Sequence, residues 1–231
     1  MGAQWKHAGR IASSAAKGRI FSKLAKEIIL AARGGADPAL NARLRAAVES
    51  AKKHSMPRDT LERAIKKGAG LLEPVHYELV TYEGFAPHRV PVMVECLTDN
   101  KNRTTTAIRI LFRKGQLGTT GTVSWDFAHL GLVEATPPAD ADAEEAAIEA
   151  GAQECEPDGE GGFRFSTEPT DLDTVAKALS ARGWTVATMQ LAWRAKSPVK
   201  LDDAARSEVE AFLAEVDEDD DVQHIYAALE A

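Results

Sequence analysis

The spacing of the apolar residues changes once along this chain, near residue 76, and that change limits the fold more than any other feature. Before it, apolar side chains recur three and four residues apart. After it, short runs rich in β-branched and aromatic residues alternate with helical stretches. In the first part Ile20, Phe21, Leu24, Ala25, Ile28 and Ala32 fall on one face of a helix that Gly34-Gly35 would end. Asp37-Pro38 reads as an N-cap followed by a proline at the first helical position, opening a second helix with the stripe Leu40, Leu44, Ala47, Val48 and Ala51. Pro57 restarts the chain, and Leu61, Ala64 and Ile65 make a third stripe that Gly68 and Gly70 close. Three amphipathic helices with short links bury such stripes by packing together, so a small bundle is expected.

Beyond residue 76 the strands Tyr77–Tyr82 and Val90–Leu97 flank Gly84. A helix is expected over Asn102–Lys114, then a loop punctuated by Gly115, Gly118 and Gly121, then a strand Thr122–Phe127. Next come a strand at Leu132–Ala135, a helix Asp142–Ala150, strands near Glu154 and at Phe163–Ser166, a helix Asp171–Arg182 and a strand Thr185–Trp193. That β-α-β-β-α-β order is ferredoxin-like. A last helix, Asp203–Val216, leads through Asp217–Asp221 to a strand Val222–Ala227. Alone, this strand would leave its backbone amides unpaired, and the series of residues 73–129 lacks a closing helix and strand, so the C-terminal pair should complete that sheet. The expected fold class is α+β. It has an N-terminal three-helix bundle (1–72) and two α/β (ferredoxin-like) domains, one inserted into the other: 73–129 plus 196–231 is discontinuous, and 130–195 is the insert.

Charge divides along the same line. The net charge of −7 averages two opposed parts, for residues 1–70 hold 15 of the 28 Lys and Arg but only 5 of the 35 Asp and Glu. A solvated surface normally mixes the signs, so a basic contact module joined to an acidic body is expected, with nucleic acid as the partner of the first. No apolar run approaches the roughly 20 residues of a membrane span, and no signal-peptide core opens the chain. Cys96 and Cys155 are the only cysteines, which suits a reducing, cytoplasmic setting.

On the first helix Arg19, Lys23, Lys26 and Arg33 lie opposite the apolar stripe; Arg45 and Lys52 share a flank of the second, next to Lys53; Arg58 opens the third, and Arg63, Lys66 and Lys67 lie opposite Leu61 and Ile65. A leader containing Trp5, Lys6, His7, Arg10 and Lys17 adds charge and one aromatic. These residues can follow a phosphate backbone, with Trp5 either stacking on a base or anchoring the leader to the bundle. The plainer alternative is that the cations only solvate the bundle, or dock it on its own acidic body. No enzyme is expected. The histidines His7, His54, His76, His88, His129 and His224 form no metal-ligand motif, and neither GxSxG nor Walker A occurs, so no cofactor and no metal are expected. The loop Gly115–Thr122 could cradle a phosphate with its amides, but such loops lead into a helix and this one leads into a predicted strand, which favours a turn. The acids of 140–160 and 217–221 have no basic neighbour in sequence and read as solvated surface.

Several runs, in order, resemble the YebC/PmpR family of probable transcriptional regulators: Lys17-Gly18-Arg19-Ile20-Phe21-Ser22-Lys23-Leu24, Met56-Pro57-Arg58-Asp59-Thr60-Leu61-Glu62-Arg63-Ala64-Ile65, Tyr82-Glu83-Gly84-Phe85, Glu95-Cys96-Leu97-Thr98-Asp99-Asn100 with Asn102-Arg103-Thr104, Leu117-Gly118-Thr119 with Gly121, Glu168-Pro169-Thr170-Asp171-Leu172, and Asp219-Asp220-Asp221-Val222-Gln223 with Tyr226. The likeness spans nearly the whole chain. It departs from the family where Ser13-Ser14-Ala15-Ala16 stands in a leader that is usually more basic, and where Ala86-Pro87-His88-Arg89 replaces a glycine-rich turn. The resemblance implies a helical bundle with two α/β domains, one inserted in the other. It also implies control of gene expression through DNA, or alternatively through ribosomal RNA and the ribosome as a translational activator. The acidic domains would offer a surface to a protein partner.

Overall fold

A computed structural model describes residues 14–73, 75–159 and 161–230. Helix α1 (Ser14–Ala32) turns its apolar stripe inward, with Leu24, Ile28, Ile29, Ala31 and Ala32 buried. Helix α2 is Ala42–Lys53 and α3 is Arg58–Gly68. The second helix starts later than Asp37-Pro38 suggested. Asp37 accepts the amides of Leu40 and Asn41 on its carbonyl and that of Ala39 on its side chain, closing a turn in place of a helix. The cap is Asn41, whose Oδ1 accepts the amide of Leu44 at 3.0 Å while its Nδ2 donates to the carbonyls of Ala31 and Gly35, both at 2.8 Å. Leu40 therefore drops out of the stripe and is 88% exposed.

The first sheet runs β3-β1-β2-β8, antiparallel throughout, from β1 (Glu78–Phe85), β2 (Pro91–Thr98), β3 (Gln116–Leu117) and β8 (Val222–Ala227). Strand β2 is a near-continuous apolar run because both of its faces are covered. Val92, Val94 and Cys96 join the core under α4 (Lys101–Leu111) and α7 (Asp203–Asp217), where Phe112 meets Phe212 edge-on at 5.2 Å. On the opposite face the buried Glu95 accepts hydrogen bonds from Trp193 Nε1 at 2.9 Å and the Tyr226 hydroxyl at 3.2 Å. The third strand of this sheet was expected at Thr122–Phe127. It is instead the two-residue β3, and 124–126 form a single 3₁₀ turn, because a carboxylate takes up the amides there.

The second sheet is β5-β6-β4-β7, from β4 (Phe127–Thr136), β5 (Glu154–Pro157), β6 (Phe163–Thr167) and β7 (Thr185–Ala195). With α5 (Ala143–Ala150) and α6 (Leu172–Ala181) it has the ferredoxin-like order and strand arrangement. Its core gathers Val133, Phe165, Val175, Leu179 and Trp184 around four alanines of α5, whose small side chains let that helix lie close.

The chain divides into two compact units. Among the described residues, one takes 14–26, Glu73–Ala128 and 193–230; the other takes Glu27–Leu72 and His129–Ala192. The division crosses α1 at Lys26.

Candidate nucleic-acid interface

The expected cations separate into two groups with different chemistry. Arg19, Lys23 and Lys26 share one face of α1, and all three are occupied within their own unit by the acidic run that follows α7. Arg19 pairs with Glu218 at 3.3 Å. Lys23 Nζ donates to the Asp217 carboxylate at 2.8 Å and to the Asp217 carbonyl at 2.9 Å, where α7 presents the negative end of its dipole. Lys26 Nζ donates to the carbonyls of Leu97 at 3.0 Å and Asp220 at 2.8 Å and to Asp221 Oδ1 at 2.8 Å, and lies 5.8 Å from the centre of the Tyr77 ring. The side chains of Lys26 and Asp221 are only 12% and 9% exposed. Arg103 and Thr104 also bind Asp221, each at 2.7 Å. The run 217–221, which lacks a basic neighbour in sequence, thus finds one 194 to 199 residues away.

The second group is open to solvent. Arg33 is exposed at the end of α1, Lys52 and Lys53 at the end of α2, and Arg58, Arg63 and Lys66 along α3, with Lys67 half-buried. Lys52 pairs with Glu49 at 3.1 Å and Arg58 with Glu62 at 2.8 Å, both along the surface of one helix. Such exposed pairs are worth at most about 0.5 kcal/mol, so a phosphate can replace the carboxylate at little cost. Among the described residues Arg45 reaches only the Ala39 carbonyl, at 3.5 Å. Lys17, Lys53, Arg63, Lys66 and Lys67 make no ion pair among the described residues. Arg43 is exposed on α2 as well. Lys52, Lys53, Lys66 and Lys67 sit in last turns, where helix dipoles favour cations irrespective of a ligand. Trp5, Lys6, His7 and Arg10 lie outside the described residues.

The glycine loop is closed by a carboxylate of the chain itself. Glu83, buried on β1, accepts the amide of Gly121 on Oε1 at 2.9 Å and those of Val123 and Ser124 on Oε2 at 2.8 and 2.9 Å. Burial works against its charge, but these three donors outweigh it and hold the carboxyl below its usual range. Gly121 sits at a φ of 90°, and a Cβ on Gly118 would lie 2.6 Å from the Thr122 hydroxyl, so two glycines let the loop close this tightly. Asn100 caps α4 by accepting the amide of Arg103 at 3.1 Å. Among the described residues no group of three or more His, Cys, Asp or Glu is placed to hold a metal ion, and no helix is long and apolar enough to cross a membrane.

Comparison with known proteins covers both parts of the chain. Residues 3–71 match the TACO1/YebC protein N-terminal domain, and residues 77–229 match the TACO1/YebC second and third domain. A probable transcriptional regulatory protein of Pseudomonas syringae pv. tomato is 64% identical over 232 residues, covering 99% of each chain. Proteins of the same name from a Polaromonas species and from Bdellovibrio bacteriovorus are 58% and 48% identical, each over 99% of this chain and 99% and 100% of their own. The crystal structure of a conserved hypothetical protein from Aquifex aeolicus superposes with a TM-score of 0.82 at 42% identity, over 99% of this chain and 96% of that one.

Proposed function

The chain belongs to the TACO1/YebC family, and we propose that it is a non-enzymatic, cytoplasmic regulator of transcription that grips duplex DNA by its phosphates through α2 and α3. The observation that carries this reading is the set of cations with no acidic partner among the described residues, Lys53, Arg63 and Lys66 facing solvent and Lys67 half-buried, with the exposed Arg45 on α2. The name shared by the relatives supports the regulatory role. Lys23 and Lys26 are fasteners in this reading, because a phosphate would have to displace part-buried or buried carboxylates from them, whereas Arg19 pairs with the exposed Glu218. The acidic domains, which hold 30 of the chain's 35 Asp and Glu beyond residue 70, would face a protein partner.

Phosphate neutralisation releases counterions, so log affinity should fall with log salt by about 0.9 for each phosphate engaged on duplex DNA. The substitution set Arg63→Ala, Lys66→Ala, Lys67→Ala should reduce that slope by roughly 2 to 3 and weaken unrelated duplexes alike. The α2 and α3 surface offers few amide side chains to read base edges, so discrimination between duplexes should stay below about a thousandfold, the lower end for specific sites. A slope unchanged by the triple substitution would overturn the assignment.

A further inference from the structure

We infer that Trp125, with Lys196, forms a stacking platform for one unpaired base of a single-stranded nucleic acid. The inference rests on nucleic-acid binding by this chain and adds a second contact, on the other unit, of a kind that the helices do not provide. Trp125 is 69% exposed, the one aromatic among the exposed large hydrophobic side chains of the described residues. Its position is not loose. Its ring Nε1 donates to the Thr122 carbonyl at 3.0 Å, and its own carbonyl accepts from Lys196 Nζ at 2.8 Å. The backbone on either side is fixed too: Val123 and Ser124 donate their amides to Glu83, Asp126 N donates to Val123 O at 3.0 Å, and Lys196 N donates to Asp126 O at 2.9 Å.

Two consequences follow from that geometry. The one polar group of the indole is already satisfied inside the loop, so what Trp125 offers a ligand is its face and not a hydrogen bond. A flat π surface recognised by its face suits a nucleobase of any identity, and holding it in place beforehand lowers the ordering cost of binding. The exposed Lys196 ammonium, tied to the same residue, supplies the charge that a neighbouring phosphate needs; Asp126, the one acid in this stretch, is buried. A tryptophan at the centre of a protein interface would instead be ringed by side chains large enough to exclude water. Its loop neighbours are Thr119, Thr120 and Gly121, exposed and without large apolar side chains. A base inside a duplex is already stacked on both faces, so only an unpaired one can use the platform.

The test is equilibrium binding of the full chain to fluorescein-labelled oligo(dT), oligo(U) and a mixed-sequence duplex, for the unsubstituted protein, Trp125→Ala, Trp125→Phe and Lys196→Gln. Stacking on an aromatic side chain is sequence-tolerant and strong enough that Trp125→Ala should weaken single-strand binding by about 5- to 100-fold while duplex binding is unchanged. Trp125→Phe should recover most of the loss, and Lys196→Gln should lower the salt slope on single strands by roughly 0.7. Unchanged single-strand binding by Trp125→Ala would overturn the inference and leave the exposed indole to a protein partner. An equal loss on the duplex would overturn it as well. Neither result touches the role of α2 and α3, which the Arg63, Lys66 and Lys67 substitutions measure on the duplex alone.

Discussion

Asp221 shows how one side chain can tie distant parts of the chain. Burial alone would raise its carboxyl, yet hydrogen bonds from Lys26, Arg103 and Thr104 bring it from an ordinary 3.8 down to about 2. The unfolded chain takes up the proton near 3.8, so the carboxylate contributes stability that is fully present above that value and lost as the pH falls from about 4 to 2. The size is about 2 kcal/mol. Urea denaturation should therefore show Asp221→Asn less stable than the unsubstituted protein at pH 6 by roughly 3 to 5 kcal/mol, because Lys26 is left buried without its partner. The difference should narrow toward pH 2; a constant difference would mean that another carboxyl carries the acid sensitivity. Gln223, at the β-bulge where β8 passes Glu95 and Cys96, is the opposite case. Both polar atoms of its side chain are buried with no hydrogen-bond partner among the described residues. Gln223→Met keeps the shape and removes the unsatisfied amide, and should stabilise the protein by about 1 to 3 kcal/mol in the same measurement.

At the scale of elements, helix packing turns on a residue that looks like punctuation. Gly68 reads as a stop, but it is the last residue of α3, where a Cβ would lie 2.3 Å from the Ile29 carbonyl and 2.7 Å from Ala32 Cβ. Gly68→Ala should push α3 off the end of α1 and cost about 1 to 3 kcal/mol, seen as a lower Tm. A tolerated alanine would mean that the helices separate without penalty. The loop after β3 depends in the same way on Glu83. Glu83→Gln presents an amide where one carboxylate oxygen accepted, so amide hydrogen exchange at Gly121, Val123 and Ser124 should accelerate while that of β2 stays slow. Here the sequence misled in a definable way. Thr122–Phe127 has strand composition, but Glu83 takes the amides that a neighbouring strand would have used.

For the whole molecule, we propose that residues 73–129 with 196–231 fold as a discontinuous domain and that 130–195 fold as the insert. Strand β8 pairs with β2 from Val92↔Ala227 to Cys96↔Val222, and Val222 and Ile225 lie in the core under α4 and α7. Deleting residues 217–231 should therefore abolish exchange protection in Pro91–Thr98 and leave Thr185–Trp193 protected. The reverse pattern would place the tail with the other sheet and misassign both boundaries.

The sequence alone determined most of the elements, the start of α2 and the stretch 122–127 excepted, since the period of apolar residues is local physics set by backbone geometry. Asp203–Val216 and Val222–Ala227 were legible almost to the residue, and so was the ferredoxin-like order of 127–195. It also showed that charge is divided between the two parts of the chain. Which charges remain available was decided only by the tertiary structure. Nothing in the local pattern distinguishes Lys26, held by a carboxylate 195 residues away, from Lys66, which faces water. Trp125 passed for an ordinary strand residue for the same reason: its exposure depends on Glu83, 42 residues earlier, holding the loop beneath it. Spacing reports which face of an element a side chain takes, and only folding brings in the distant partner that occupies it or leaves it open.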